Sequence, residues 1–491
     1  MFARAQSLAD LEKRLTKFTL NNGLTFLVLE RHEAPVVSFH TYADVGSVNE
    51  VKGITGLAHI FEHMAFKGSK TVGTKDYEAE AKAMAKEDEA FLALKTERQK
   101  GDRADPKRLE ELQKQFEAAQ QEAQKYLVHD EFDEAFNREG GAGLNASTSA
   151  DSTEYIVSLP SNKVELWMSL ESDRFLNPVL REFYKEKDVV MEERRLRVDS
   201  QPIGRLLEEF IAVAYKAHPY GEPTIGHMSD LQSITRAEAE AFFKKYYTPS
   251  NLTVAIVGDV NPPEIKRLAE IYFGRIPNRP KPEPLETVEP PQPGDRCVRV
   301  EDPSQPFVLI GYHKPDINHP DNAGFDAITD IMGIGRTSRL YETLVKEKKI
   351  AVAASAFPGL PGNKYPGLFL FYAVPAKGHT NEECEEAIYA EIEKLKAQPV
   401  SPEELEKAKT RSRANLIRRL ASNSGLAEQL TFYEVTTGDW RNLFTQLDKI
   451  DRVTAADIQR VAQQYFTSKN RTVGVIVTTS SQKASPGGEA K

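Results

Sequence analysis

Alternating hydrophobic and polar positions open the chain. FTLNNGLTFLVLE (18–30) sets Asn22-Gly23 between two alternating apolar runs, which predicts a hairpin of two strands. APVVSFHTYADVGS (34–47) predicts another strand by the same period. Residues 76–128 break the pattern. They are rich in Ala, Glu, Lys and Gln, with an interruption from Lys100 to Pro106, and predict a helical hairpin projecting from its domain. Its charges read as a mostly solvated face, and a partner-docking arm is the functional alternative.

A longer period lies over these elements. SITRAEAEAFFKKYYTPSNLTVAIV (233–257) and RVTAADIQRVAQQYFTSKNRTVGVI (452–476) align without a gap, pairing Thr235 with Thr454, Tyr246 with Tyr465, Asn251 with Asn470 and Val254 with Val473. Each copy predicts a threonine-capped helix, a turn and a β-branched strand, so the chain reads as a duplication. PNRPKPEPLETVEPPQPGDR (277–296) lies between the copies, and its prolines predict an extended linker. The expected architecture is α+β: two related domains of mixed or antiparallel sheet covered by helices. Their expected ranges are 1–276 and 297–480, followed by a disordered tail over 481–491.

Composition narrows the function classes. A net charge of −9 argues against a nucleic-acid binder, which carries a basic surplus. Cys297 and Cys384 are the two cysteines, too few for a disulfide framework although one bridge stays open. No stretch approaches the roughly 18 consecutive apolar residues of a membrane span. Ala3-Arg4-Ala5 has the A-x-A form that ends many secretory signals, so an exported protein and a cytoplasmic one both stay open.

GITGLAHIFEHMAFKGS (53–69) carries the chemistry. At about 100° per residue His59 and His63 share one helical face, with Glu62 beside it. Ile54, Leu57, Phe61 and Met64 form the opposite, apolar face, so the core stripe is complete without either histidine. Two imidazoles from consecutive turns and a nearby carboxylate are what a catalytic zinc site needs. H-x-x-E-H is the inverted form of the H-E-x-x-H zinc signature. No other histidine has helical context, so a carboxylate is expected as third ligand. YKEKDVVMEERRLRVDS (184–200) offers Glu186, Glu192 and Glu193. Glu186 and Glu193 are seven apart on one helical face, and periodicity leaves Glu192 and Glu193 open.

These residues resemble the pitrilysin/insulinase/mitochondrial processing peptidase family of metallopeptidases. GLAHIFEHMAFKGS is similar to its metal helix, GGAGLNASTSADSTEY (140–155) to its substrate-binding edge strand, and EKDVVMEERR to the helix giving the third ligand. HPYGEPTIG (218–226) and YTPSNLTVAIVGD (247–259) match later landmarks. The resemblance implies one zinc per chain on His59, His63 and Glu193, with Glu62 as base and Glu186 supporting the ligands from behind. It implies that Asn145 and Ala146 pair with an extended peptide substrate through the main chain. It also implies peptide-bond hydrolysis inside a chamber of four such domains, hence a dimer. Two departures stand out. The interval from His63 to Glu193 is roughly fifty residues longer than usual, which the 76–128 insertion accounts for. The Arg and Tyr that many active members carry in the second domain fall on Val345 and Val352, with Arg339 and Tyr341 upstream of the matching places. That loss points to a heterodimer whose related partner supplies the pair, with a homodimer using other donors as the alternative. A non-catalytic structural subunit is the competing expectation.

Overall fold

The computed structural model describes residues 8–479; Ala3-Arg4-Ala5 and the tail 481–491 lie outside the described residues. Two compact units emerge, and neither is one continuous stretch of chain. The first comprises residues up to Arg194, Glu222–Thr287 and Asn415–Gln446; the second comprises Arg195–Gly221, Val288–Ala414 and the residues from Leu447 onward. The proline-rich stretch contains one of the crossings.

In the first unit β1 (Leu15–Thr19), β2 (Thr25–Glu30), β3 (Val36–Ala43), β4 (Ala142–Thr148), β5 (Thr153–Pro160) and β6 (Leu252–Gly258) form one sheet, ordered β1-β2-β6-β3-β5-β4. β2 and β6 are parallel and the other neighbours antiparallel, so the sheet is mixed. The Asn22-Gly23 hairpin is present: Thr19 faces Thr25, and Gly23 takes φ +92°, which favours glycine. Asn22 also donates to the carbonyls of Phe273 and Ile276 at 2.9 and 3.0 Å, tying the turn to the end of the helix Pro262–Tyr272. Helices cover the sheet, and Trp167 stacks on Phe39 of β3 at 4.3 Å.

In the second unit β7 (Arg296–Asp302), β8 (Phe307–Lys314), β9 (Ala351–Leu360), β10 (Gly367–Pro375) and β11 (Arg471–Thr478) are ordered β7-β11-β8-β10-β9. β7 and β11 are parallel, and β11 and β8 antiparallel, matching β2, β6 and β3 one for one. The repeat is visible down to single bonds. Thr235 and Thr454 each close a capping box, with Glu238 and Asp457 as its second members. Asn251 donates to Tyr246 O and Asp44 O, and Asn470 to Tyr465 O and His313 O, so each asparagine pins a helix end to a neighbouring strand segment.

The discontinuity comes from two helices. Pro202–Ala214 lies on the second sheet, where Phe210 fills the space above Gly311 and Gly474; a Cβ at either glycine would come within 2.7 or 2.8 Å of the Phe210 ring. Asn423–Thr437 lies on the first sheet, where Thr431 Oγ1 meets His40 Nδ1 of β3 at 2.9 Å.

The charged segment forms the expected helix pair, Tyr77–Arg98 and Pro106–Gln124. It does not project free of the unit. Phe91, Leu94, Leu112 and Phe116 join the core of the first unit. Glu80 and Glu87 are buried and paired with Arg181 and Arg236. Carboxylates read as solvated are neutralised by arginines more than 100 positions away, and no local pattern shows such a match. The two cysteines are free, Cys297 exposed and Cys384 buried.

Candidate metal centre

The helix Leu57–Met64 is short and starts late, so Ile54 belongs to the turn before it. Leu57, Ile60, Phe61 and Met64 are buried, with the Phe61 ring against Phe243 and Tyr247. Two acidic side chains hold its beginning. The Glu50 carboxylate accepts from Gly56 N and Ala58 N, both at 2.7 Å. The Asp230 carboxylate accepts from Gly53 N, Thr55 N and Thr55 Oγ1 at 2.9, 3.2 and 2.7 Å. Both side chains meet unsatisfied N–H groups at the start of the helix. Burial pushes the Glu50 carboxyl up to about 8 against its two bonds. Burial also tends to raise the Asp230 carboxyl, but hydrogen bonds from Thr55 and Gly53 prevail and hold it below its usual range, so Asp230 brings the negative charge to the positive end of the dipole. Gly226 lies against the same turn at φ +82°, and a Cβ there would fall 2.4 Å from Thr55 O. The landmark loop 218–226 therefore ends in a glycine that the metal helix requires.

The third carboxylate comes from the helix Phe183–Arg194, which packs on the metal helix. His59 Nε2 lies 3.6 Å and His63 Nε2 3.4 Å from the same oxygen of Glu193. All three ligand atoms lie within 4.8 Å of one another, and the two imidazole planes cross at 89°. Tetrahedral zinc with bonds of about 2.0–2.2 Å sets its ligand atoms about 3.3–3.5 Å apart, so the donor set fits the ion. Geometry separates the carboxylates that periodicity left open: Glu193 joins the group and Glu192 is exposed. The neighbouring Arg194 donates to Gly226 O at 2.7 Å, locking this helix to the loop that supports the metal helix.

Glu186, two turns before Glu193, meets the other nitrogen of His63, Nδ1, at 3.4 Å and Lys67 Nζ at 2.6 Å. A carboxylate in that place fixes the tautomer and the ring orientation of a metal-binding histidine. The Glu186 hydrogen bond raises the His63 imidazole above its usual range, with burial working against it. Burial tends to raise the Glu186 carboxyl, but hydrogen bonds from His63 and Lys67 prevail and hold it below the usual range.

Glu62 is half-buried and faces a pocket of about 300 Å³ that also reaches His63, Asn145 and Ala146. Asn145 and Ala146 lie on β4, which pairs with β5 on one side only and forms an edge of the sheet. Asn145 faces Ile156 across the strand pair and is exposed, so it is a strand residue and not a turn. In the second unit Val345 packs partly buried against the core, Val352 is exposed on β9, and Arg339 is bound bidentately to Glu404 at 2.7 and 3.0 Å. Sequence reasoning missed Glu50 and Asp230; nothing in their local pattern marks a carboxylate aimed at a helix start.

Residues 26–97 and 111–227 match the family model described as insulinase (peptidase family M16), and residues 233–412 match the one described as peptidase M16 inactive domain. The stretch left unmatched inside the first, 98–110, is the tip of the helix pair. The zinc protease PqqE of Helicobacter pylori is 30% identical over 456 residues, covering 91% of this chain and 89% of that protein. The mitochondrial-processing peptidase subunit beta of Saccharomyces cerevisiae is 22% identical over 460 residues, covering 89% and 86%. Among solved structures, a protease from Helicobacter pylori superposes with a TM-score of 0.79 at 29% identity, covering 94% of this chain and 99% of that one.

Proposed function

The chain belongs to the insulinase family, peptidase family M16, and from that premise we propose that it is a zinc-dependent endopeptidase acting on peptides or unfolded polypeptides. The observation that carries the reading is the approach of both histidine Nε2 atoms to one oxygen of Glu193, at 3.6 and 3.4 Å. His59, His63 and Glu193 hold one zinc ion, which when bound supplies Lewis-acid polarisation of a carbonyl and acidification of water. Glu62, at the border between this group and the pocket, takes the proton from the attacking water and returns it to the leaving amine. Glu186 keeps His63 oriented through Nδ1. The free edge of β4 at Asn145 and Ala146 offers main-chain N–H and C=O groups to an extended substrate, and this pairing is indifferent to most side chains.

Cleavage takes place in a chamber that two chains form together. This chain supplies two family domains, and its second unit presents Val345 and Val352 where a substrate-clamping Arg and Tyr stand in many members. Arg339 is committed to Glu404 and cannot replace the arginine without breaking that pair. The second chain is therefore a related one that brings the Arg/Tyr pair. Full turnover by the purified chain alone would overturn this requirement.

Glu62→Gln tests the base. The variant should keep one zinc per chain and lose turnover by at least about a hundredfold, the lower end of what a positioned base contributes. Wild-type turnover in a zinc-replete Glu62→Gln enzyme would refute the assignment.

A further inference from the structure

The metal helix ends at Met64, and the turn after it meets the helix that carries Glu193. Lys67 N donates to Met64 O at 3.1 Å, which closes the turn. Gly68 continues it at φ +80°, where a Cβ would fall 2.3 Å from Val72 O. The backbone thus fixes where Lys67 stands. Its ammonium lies between two carboxylates, 2.6 Å from Glu186 Oε1 and 3.2 Å from Glu182 Oε2.

Both carboxylates belong to the beginning of the helix Phe183–Arg194. Glu182 stands just before it, and its carbonyl accepts from Glu186 N at 2.9 Å. Glu182 takes φ +55°, a left-handed backbone that residues with a side chain rarely adopt. Such a conformation persists only where the surrounding structure over-determines it. Here the Glu182 side chain is buried, one oxygen on Lys67 and the other on Lys185 at 2.7 Å. The residue before it, Arg181, donates to Lys67 O. Arg181 and Glu182 therefore grip Lys67 at its carbonyl and at its ammonium.

Glu186 also divides its two oxygens. Oε1 meets Lys67, and Oε2 meets His63 Nδ1 at 3.4 Å. A carboxylate with one partner on each oxygen has a fixed plane, so the lysine sets the direction from which His63 is met. Burial tends to lower the Lys67 ammonium, but its bonds to Glu186 and Glu182 prevail and hold it above its usual range. A charged lysine in this place favours the ionised form of the buried Glu186.

We propose that Lys67 is a positioning residue of the metal centre. Bound between Glu182 and Glu186, it fixes the Glu186 carboxylate on His63 and ties the turn after the metal helix to the start of the helix that brings Glu193. The proposal rests on the metal reading, because zinc affinity is what this positioning serves.

Zinc affinity, measured by competition with a chelating dye, tests it without turnover. Lys67→Met should weaken zinc binding about tenfold, the lower end of what partners behind metal ligands contribute. Lys114→Met, at an exposed pair with Glu110 on the helix pair, should stay within about twofold of wild type. Glu186→Gln should weaken zinc at least as much as Lys67→Met. Adding Lys67→Met to it should cost no more than about twofold further, because the lysine acts through that carboxylate. Cobalt(II) loaded in place of zinc reports the ligand geometry. Its visible absorption bands should shift in Lys67→Met and in Glu186→Gln, and keep their wild-type positions in Lys114→Met. Circular dichroism checks that each variant folds; if Lys67→Met does not, Lys67→Gln, which keeps a neutral donor, is read by the same criteria. Wild-type zinc affinity in the Lys67 variant, unshifted cobalt bands, or full additivity with Glu186→Gln would each overturn the proposal. A wild-type chain that binds no zinc would strike the metal reading and this proposal together, whereas a failed variant result with a zinc-binding wild type strikes the role of Lys67 alone.

Discussion

Arg181 is 2% exposed and its partner Glu80 1% exposed. The guanidinium donates to the carboxylate through Nε at 2.8 Å and Nη2 at 3.2 Å, and to the carbonyls of Lys67, Ser69 and Val72 in the loop that follows the metal helix. Arg181→Met keeps an apolar stem but strands a buried carboxylate and takes a donor from three carbonyls, of which Val72 O keeps the Ser69 N–H at 2.9 Å. Breaking a buried pair from one side costs about 3–5 kcal/mol. Removing both charges in Arg181→Met/Glu80→Met should recover the part due to the stranded carboxylate. What remains is the loss at the carbonyls, about 1–3 kcal/mol for each that stays unsatisfied. The double variant should therefore be more stable than the sum of the single losses predicts, with a coupling of about 2 kcal/mol, within the usual range for residues in contact. Urea denaturation followed by tryptophan fluorescence reads this directly, because the two tryptophans of the chain, Trp167 and Trp440, both belong to the first unit. A loss below about 1 kcal/mol in Arg181→Met, or strict additivity in the double variant, would refute the claim that this pair anchors the helix pair.

Acid stability of the second unit should depend on Arg339, whose hydrogen bonds, ahead of all other influences, hold the Glu404 carboxyl at about 2 against an ordinary 4.5. A depressed carboxylate stabilises the fold above its unfolded value and loses that contribution as pH falls through its folded one. Arg339→Met should thus melt below wild type at pH 7, with the gap closing as pH falls from about 4.5 toward 2; a pH-independent gap in calorimetry would contradict it. Gly226→Ala forces a Cβ to within 2.4 Å of Thr55 O at a backbone φ of +82°. It should shift the start of the metal helix and weaken zinc binding, measured by competition with a chelating dye; unchanged affinity would show that the loop is not part of the support.

Much of the fold was legible because its signals are local. Asn22-Gly23 between alternating runs, Thr235 and Thr454 before amphipathic helices, and the repeated Asn251 and Asn470 each act over a few residues. H-x-x-E-H was legible for the same reason, since one helical turn brings His59 and His63 together. The rest depends on distant partners. Periodicity could not separate Glu193 from Glu192, because the choice turns on how the helix Phe183–Arg194 is rotated against the metal helix. Glu80 and Glu87 looked like solvated helix charges until Arg181 and Arg236 arrived from elsewhere in the chain. The helices Pro202–Ala214 and Asn423–Thr437 were assignable only once Phe210 met Gly311 and Gly474, and Thr431 met His40.

Zinc stoichiometry across the pair Glu192→Gln and Glu193→Gln tests the central claim most directly. Inductively coupled plasma mass spectrometry should find one zinc per chain in the wild type and in Glu192→Gln, and far less than one in Glu193→Gln after identical dialysis. Zinc retained in Glu193→Gln and lost from Glu192→Gln, or no zinc in the wild type, would contradict the metal centre described.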